Sequence, residues 1–104
     1  MREVVVFSGS AHQPLAHRIC DELGVTLSQT LISRFSNDCL QAQLLANCRQ
    51  RDVYIVQPLV PPTQDSLMEL LLMIDAAKGA SAGMITAVIP HYAYARSDKK
   101  DASR

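Results

Sequence analysis

The sequence lacks several features that would mark a specialised class of protein. It has no tryptophan, and its ten Lys and Arg residues balance ten Asp and Glu residues, so its formal net charge is zero. Nucleic-acid-binding domains usually carry a basic excess, which argues against a nucleic-acid partner. No apolar run approaches the roughly 20 residues that cross a bilayer, and no leader pattern opens the chain. We therefore expect a cytoplasmic protein with no membrane partner.

Cysteine is also scarce. Cys20, Cys39 and Cys48 are odd in number, and no two of them stand at the spacing of a structural zinc site. His17 and Cys20 could share a helix face, but two ligands alone make a poor metal site. We expect three reduced thiols and no metal site built on them.

What the sequence does contain is an alternation of apolar runs. At 104 residues and 48% hydrophobic content, the chain can bury one core but not two. Residues 3–7, 53–57 and 85–89 have the composition of buried strands, and residues 13–23 and 67–77 have that of helices. This order predicts an α/β fold with a mainly parallel sheet flanked by helices and joined by right-handed crossovers. Such sheets bind ligands at the carboxyl ends of their strands.

Local signals predict where the helices begin and end. Pro14 and Gly24 bound the first helix. Ser66 and Glu69 stand in the S-x-x-E relation of a capping box for the second, with Thr63 as an alternative N-cap. Because the second helix is apolar nearly all round, we expect it to be covered on most sides.

A hairpin is predicted between the first helix and the second buried strand. Residues 25–35 form an extended candidate with imperfect alternation, residues 36–38 read as a turn, and residues 40–44 alternate apolar residues with glutamine. We therefore expect residues 31–44 to form a projecting flap.

The last nine residues hold four of the ten basic ones. Arg96 offers a planar fork that matches phosphate oxygens, and Lys99 and Lys100 are mobile charges suited to a polyphosphate. Asp98 and Asp101 could hold a metal ion through water. The alternative is a solvated, frayed tail, and composition does not decide between the two.

Seven segments resemble one family in the same order, that of ribose-phosphate diphosphokinase, also called phosphoribosyl pyrophosphate synthetase. They are FSGS (7–10), RFSN (34–37), DVYIVQ (52–57), DSLMEL (65–70), SAG (81–83), TAVIP (86–90) and YARSDKK (94–100). The resemblance implies two phosphoribosyltransferase-like domains in each subunit of a homo-oligomer. It also implies an activity that transfers diphosphate from ATP, with Mg²⁺, to ribose 5-phosphate for nucleotide biosynthesis.

The resemblance further implies that residues 1–104 are the N-terminal, ATP-side domain, truncated before the half that binds ribose 5-phosphate. No catalytic residue of the family falls within it, so we expect the chain alone to be inactive. Whether the chain is a fragment or a naturally short protein stays open. A non-catalytic regulatory or associated subunit of the same family is the alternative function.

The family's nucleotide-binding positions map onto two segments. Phe35 and Asn37 stand at the flap's adenine-binding positions, while Arg96, Ser97 and Asp101 stand in the terminal ATP loop. Two departures concern the nucleotide: Cys39 replaces the flap's glutamate, and Ser97 replaces a glutamine.

An allosteric phosphate site is implied as well. Asn47, Arg49, Ser81 and Arg104 stand at its positions, and Asn47 departs from the family's serine.

Overall fold

The computed structural model describes residues 3–90, which form a parallel sheet, a separate hairpin and two helices. The elements in chain order are β1 (Val4–Ser8), α1 (Gln13–Leu23), β2 (Leu27–Ser28), β3 (Thr30–Arg34), β4 (Leu40–Leu44), β5 (Asp52–Val56), α2 (Thr63–Gly79) and β6 (Met84–Val88). The sheet has the order β2-β1-β5-β6 and every neighbouring pair is parallel. The predicted α/β class is confirmed, and each buried strand lies within one residue of its predicted position.

The core lies on both faces of the sheet. Because strand side chains alternate in direction, Phe7 and Ile55 point to one face and pack in a cluster with Met73 of α2. Val6 and Val56 point to the other face and pack in a cluster that includes Cys20 of α1. The two helices therefore cover opposite faces, as right-handed crossovers that run outward from β1 and β5 require.

The first helix has the predicted bounds and both predicted end signals. Pro14 occupies its first turn, and Gly24 takes a left-handed conformation with φ of 72°. Val25 N–H donates to the carbonyl of Cys20 at 3.0 Å, which closes a Schellman-type end. At the other end, the Nδ1 atom of His12 accepts from the N–H of Leu15 at 3.1 Å. An imidazole here does the work of the usual Ser or Asp cap.

The second helix begins differently from the prediction. It starts at Thr63, its N-cap is Pro62, and no side chain caps it, so both the capping box and the Thr63 cap were wrong. Ser66 Oγ instead donates to the carbonyl of Val60 at 2.9 Å, and Glu69 turns to other partners described below. Ser66 is thus engaged by the loop just before the helix, and Glu69 by tertiary contacts that override the local sequence pattern.

One side of this helix stays open. Met68 and Leu71 are 48% and 50% exposed, so the helix is less covered than its composition predicted. Within residues 3–90, neither helix is long and apolar enough to cross a membrane.

The hairpin is present as a separate two-stranded antiparallel sheet. Its register pairs Thr30 with Leu44 and Arg34 with Leu40. Ile32 and Ala42 pack against the core beside α2, so the strands of the flap rest on the domain. The predicted extended segment 25–35 is divided between β2 and β3, because its first part joins the parallel sheet and its second part turns away into the hairpin.

Candidate functional site

Between the central strands β1 and β5, the connections to the next strand run in opposite directions across the sheet. From β1 the chain passes through α1 to β2 on one side, and from β5 it passes through α2 to β6 on the other. Loops 9–12 and 57–62 follow the carboxyl ends of these two central strands. Open α/β sheets bind ligands at such a switch point.

A buried amide joins the two loops at this point. The Gln57 side chain is fully buried. Its Oε1 atom accepts from Ala11 N–H at 3.2 Å, and its Nε2 atom donates to the Ser66 carbonyl at 3.2 Å. A Cβ atom on Gly9 would overlap the Gln57 amide, so only glycine allows the first loop to approach this closely.

Glu69 completes the network from α2. Its Oε1 atom accepts from Ser10 N–H at 2.9 Å and from Gln57 Nε2 at 3.1 Å. Its Oε2 atom accepts from Ser10 Oγ at 2.6 Å. The residue is only 7% exposed, and its three donors are neutral groups. The network therefore fixes the path of loop 9–12 across the switch point.

The flap turn is closed by its own backbone and one side chain. Phe35 N–H donates to the carbonyl of Cys39 at 2.8 Å, and Asp38 N–H donates to the carbonyl of Phe35 at 2.9 Å. Asp38 is left-handed with φ of 68°, as a three-residue hairpin loop requires. Asn37 Oδ1 accepts from Cys39 N–H at 3.3 Å, which leaves its amide nitrogen outside the turn.

The turn presents Phe35 to solvent, with 52% of the residue exposed. Behind it, Arg34 Nη1 donates to the carboxylate of Asp38 at 2.8 Å and to the Asp38 carbonyl at 3.2 Å. Arg34 Nη2 lies 3.3 Å from Asp65 Oδ2 in the first turn of α2. The hydrogen bond to Asp38 raises the pKa of Arg34 above its ordinary value, so the guanidinium stays charged. Because α2 begins just after β5 ends, the bridge places the flap turn at the carboxyl edge of the sheet.

Three of the four predicted phosphate-site residues, Asn47, Arg49 and Ser81, lie near one another at the opposite edge. Arg49 N–H donates to Asn47 Oδ1 at 3.0 Å, and Arg49 pairs with Ala82 in an isolated antiparallel bridge. Gln50 N–H donates to the carbonyl of Ser81 at 2.9 Å, and Ser81 is left-handed with φ of 63°. These segments directly precede β5 and β6, so they lie at the amino ends of the strands.

Four of the predicted site residues, Arg96, Ser97, Asp101 and Arg104, lie outside the described residues, as do Lys99 and Lys100. Within residues 3–90, no three His, Cys, Asp or Glu side chains gather as a metal site would need. Sequence reasoning missed the roles of Gln57, Glu69 and Arg34. The available signal for Gln57 was a large polar residue at the end of an apolar run.

The chain is similar to known proteins over almost its whole length. The family model for the N-terminal domain of ribose phosphate pyrophosphokinase matches residues 4–104. A putative ribose-phosphate pyrophosphokinase of Streptomyces coelicolor is 67% identical over 104 residues, which are 100% of this chain and 33% of the relative. A ribose-phosphate pyrophosphokinase of Deinococcus radiodurans is 54% identical over 101 residues, which are 97% of this chain and 32% of the relative.

A solved structure agrees. The crystal structure of phosphoribosylpyrophosphate synthetase from Mycobacterium smegmatis superposes with a TM-score of 0.88 at 37% identity, covering 99% of this chain and 35% of that one. The chain thus spans about a third of the length of the relatives it matches.

Proposed function

The chain belongs to the ribose-phosphate pyrophosphokinase family, and on that basis we propose that it is the ATP-side domain of an enzyme that transfers diphosphate from ATP to ribose 5-phosphate. The product, 5-phosphoribosyl 1-diphosphate, would serve nucleotide biosynthesis in the cytoplasm. The ribose 5-phosphate site and the transfer step belong to the complete enzyme, so the chain alone is inactive.

One observation carries the ATP-binding part of the proposal. The flap turn holds Phe35 half exposed at the carboxyl edge of the sheet, which is the edge where α/β folds bind ligands. An exposed aromatic face on an ordered turn can stack on a base, a contact worth about 1–3 kcal/mol in single-stranded nucleic-acid binding. The amide nitrogen of Asn37 supplies a donor beside it.

Phe35 gives the most direct test of nucleotide binding. Phe35→Ala should weaken ATP binding by about 5- to 150-fold, which corresponds to the stacking energy above, and Phe35→Tyr should retain most of the affinity. Leu45→Ala is the matched control, because Leu45 is 48% exposed and directly follows the hairpin's second strand, away from its turn. Equal losses at both positions would mean that the turn does not bind the base.

Activity can be tested in a chimera in which this chain replaces the matching third of the Streptomyces coelicolor relative. We expect the chimera to form 5-phosphoribosyl 1-diphosphate and the 104-residue chain to form none. Turnover by the isolated chain would contradict the proposed division of the enzyme. A folded, assembled but inactive chimera would favour the alternative, a non-catalytic regulatory or associated subunit, since Cys39 stands where the family has a glutamate.

Mg²⁺ is proposed as a partner of ATP in the complete enzyme. In this proposal Phe35 contacts the base, and the ion is held with the ATP phosphates.

A second site for phosphate is proposed at the amino edge. Asn47 orders the backbone at Arg49, and Arg49 stands beside the left-handed turn at Ser81. A guanidinium suits a phosphate anion, and the hydroxyl of Ser81 is a further hydrogen-bond donor in the neighbouring turn. Arg49→Ala should abolish any effect of inorganic phosphate on the chimera while leaving its KM for ATP unchanged, and a changed KM for ATP would count against separate sites.

Self-association is also proposed, as a homo-oligomer. Exposed apolar residues on α2 and the flap support it, since Met68, Leu71 and Leu31 are each about half exposed.

A further inference from the structure

We propose that Arg34 is a positioning residue, which locks the flap turn that carries Phe35 and Asn37 to the first turn of α2 through Asp65. This inference deepens the proposed nucleotide role of the flap and rests on it for its functional part. Arg34 itself touches no ligand in this scheme. Its role is to fix the position of the residues that do.

Arg34 first holds the flap turn itself. Arg34 is the last residue of β3, and its Nη1 atom reaches both the carbonyl and the carboxylate of Asp38 across the turn. Asp38 is the left-handed residue of that turn, a conformation that is uncommon for any residue except glycine. Two hydrogen bonds from one guanidinium therefore hold the turn at its left-handed residue.

Arg34 also connects the turn to the domain. The same guanidinium has a second nitrogen, Nη2, and this lies 3.3 Å from Asp65 Oδ2. Arg can serve two partners at once because its donors are arranged in a rigid, planar fork, whereas the ammonium of Lys is a point charge. The turn and α2 thus share one side chain, which adds a link at the turn to the packing of Ile32 and Ala42 beside α2.

An ordered turn should bind the base more tightly than a flexible one. A base stacked on Phe35 is held in place only if the turn keeps its orientation to the rest of the site. Flexibility of the turn would have to be lost on binding, which lowers affinity. Arg34 removes that flexibility beforehand, so it should act on affinity for the base and leave phosphate contacts alone.

The experiment compares four variants of the 104-residue chain, Arg34→Met, Arg34→Lys, Asp65→Asn and Arg51→Met. Arg51→Met is the matched control, because Arg51 forms an ion pair of the same 3.3 Å length with Glu3 at the amino edge. Amide hydrogen exchange of the flap turn and equilibrium binding of ATP and of inorganic tripolyphosphate are measured for each.

We expect Asp65→Asn to raise exchange at the Phe35 and Asp38 amides about two- to fivefold, the range that one exposed ion pair spans. Arg34→Met should raise the exchange rate further, because the turn contacts are lost too. The rate of Arg34→Lys should fall between those of wild type and Arg34→Met. In the Arg34 and Asp65 variants, ATP affinity should fall as exchange rises, while tripolyphosphate affinity should stay unchanged. Arg51→Met should change neither the exchange of the flap turn nor the ATP affinity. The double variant Arg34→Met/Asp65→Asn should be no worse than Arg34→Met.

Three outcomes would overturn parts of this scheme. Unchanged exchange in Asp65→Asn would show that the bridge does not order the turn. Faster exchange with unchanged ATP affinity, in a chain whose Phe35→Ala variant binds ATP poorly, would show that turn order does not serve binding. If Phe35→Ala binds ATP normally, the proposed function of the flap fails, and the exchange rates alone decide whether Arg34 orders the turn.

Discussion

Replacing Glu69 should show, through the free energy of unfolding, whether its hydrogen bonds hold the structure together or whether it behaves like a surface carboxylate. In Glu69→Leu, Ser10 loses acceptors for its N–H and Oγ, and Gln57 loses one for its amide. Each buried group left unpaired costs about 1–3 kcal/mol. Because Ser10 is only partly buried and can turn to water, we expect a total loss of about 3–5 kcal/mol. That is a large share of the roughly 5–15 kcal/mol that stabilises a typical domain.

Glu69→Gln should cost much less. Its carbonyl oxygen can still accept from Ser10 N–H and from Gln57 Nε2, and its new amino group can donate to Ser10 Oγ, which rotates to accept. Only the charge assistance of three bonds is lost, so we expect about 1–2 kcal/mol. Urea denaturation followed by circular dichroism gives both values, provided that the slope of the transition is unchanged.

The control is Glu22, an exposed glutamate on α1. Glu22→Leu should stay within about 0.5 kcal/mol of wild type. Two results would refute the reasoning: a Glu69→Leu cost below about 1 kcal/mol, or a Glu69→Gln cost equal to that of Glu69→Leu. The first would mean that water satisfies the donors, and the second that the charge itself, not the hydrogen-bond geometry, holds the loop.

The remaining predictions concern thiols, a helix cap and association. Burial raises the pKa of the Cys20 and Cys48 thiols, whereas Cys39 is exposed, so iodoacetamide should label one thiol in the native chain and three in urea, as counted by intact mass. Because the two buried thiols hold their protons more tightly in the folded chain, they contribute fully to stability below the unfolded thiol pKa of about 8.5. That contribution is lost as pH rises through the raised pKa values, so the urea midpoint should fall as pH is raised above about 8.5. His12→Ala should lower the free energy of unfolding by about 1 kcal/mol in the same denaturation assay, and His12→Ser should keep most of the wild-type value. Equal stability of wild type and His12→Ala would show that the cap contributes nothing. Leu71→Lys should shift sedimentation of the chain toward the monomer, and a wild type that is monomeric at high concentration would exclude association.

Features that depend on neighbouring residues were predictable from the sequence. The strands β1, β5 and β6 are short apolar runs with polar or proline ends, and α1 carries Pro14 and Gly24 at its two ends. The turn at residues 36–38 has a local signal as well. Such signals need no knowledge of the tertiary fold, and the structure confirms them.

Features that depend on distant residues were not predictable in this way. Glu69 matches a capping box in the sequence, yet its partners are Ser10, 59 residues away, and Gln57, 12 residues away. A capping bond would use the same carboxylate oxygens, and the buried loop competes for them more strongly. The Arg34 bridge to Asp65 is hidden for the same reason, because only the packing of the hairpin on α2 brings the two side chains together.

The two proposed sites lie at opposite edges of one sheet, and this limits how they can influence each other. The flap turn and the Gln57 network are at the carboxyl ends of the strands, while Arg49 and Ser81 precede the amino ends of β5 and β6. Five residues of strand span about 17 Å, so an anion at the amino edge cannot touch a nucleotide at the carboxyl edge of the same chain. Within the chain, the two edges are joined by β5 and β6, whose parallel register runs unbroken from Asp52 to Val56, and by α2, which runs from the turn that holds Asp65 to the residues just before Ser81. Phosphate at the amino edge should therefore act on nucleotide binding through these elements and not by direct competition for the flap.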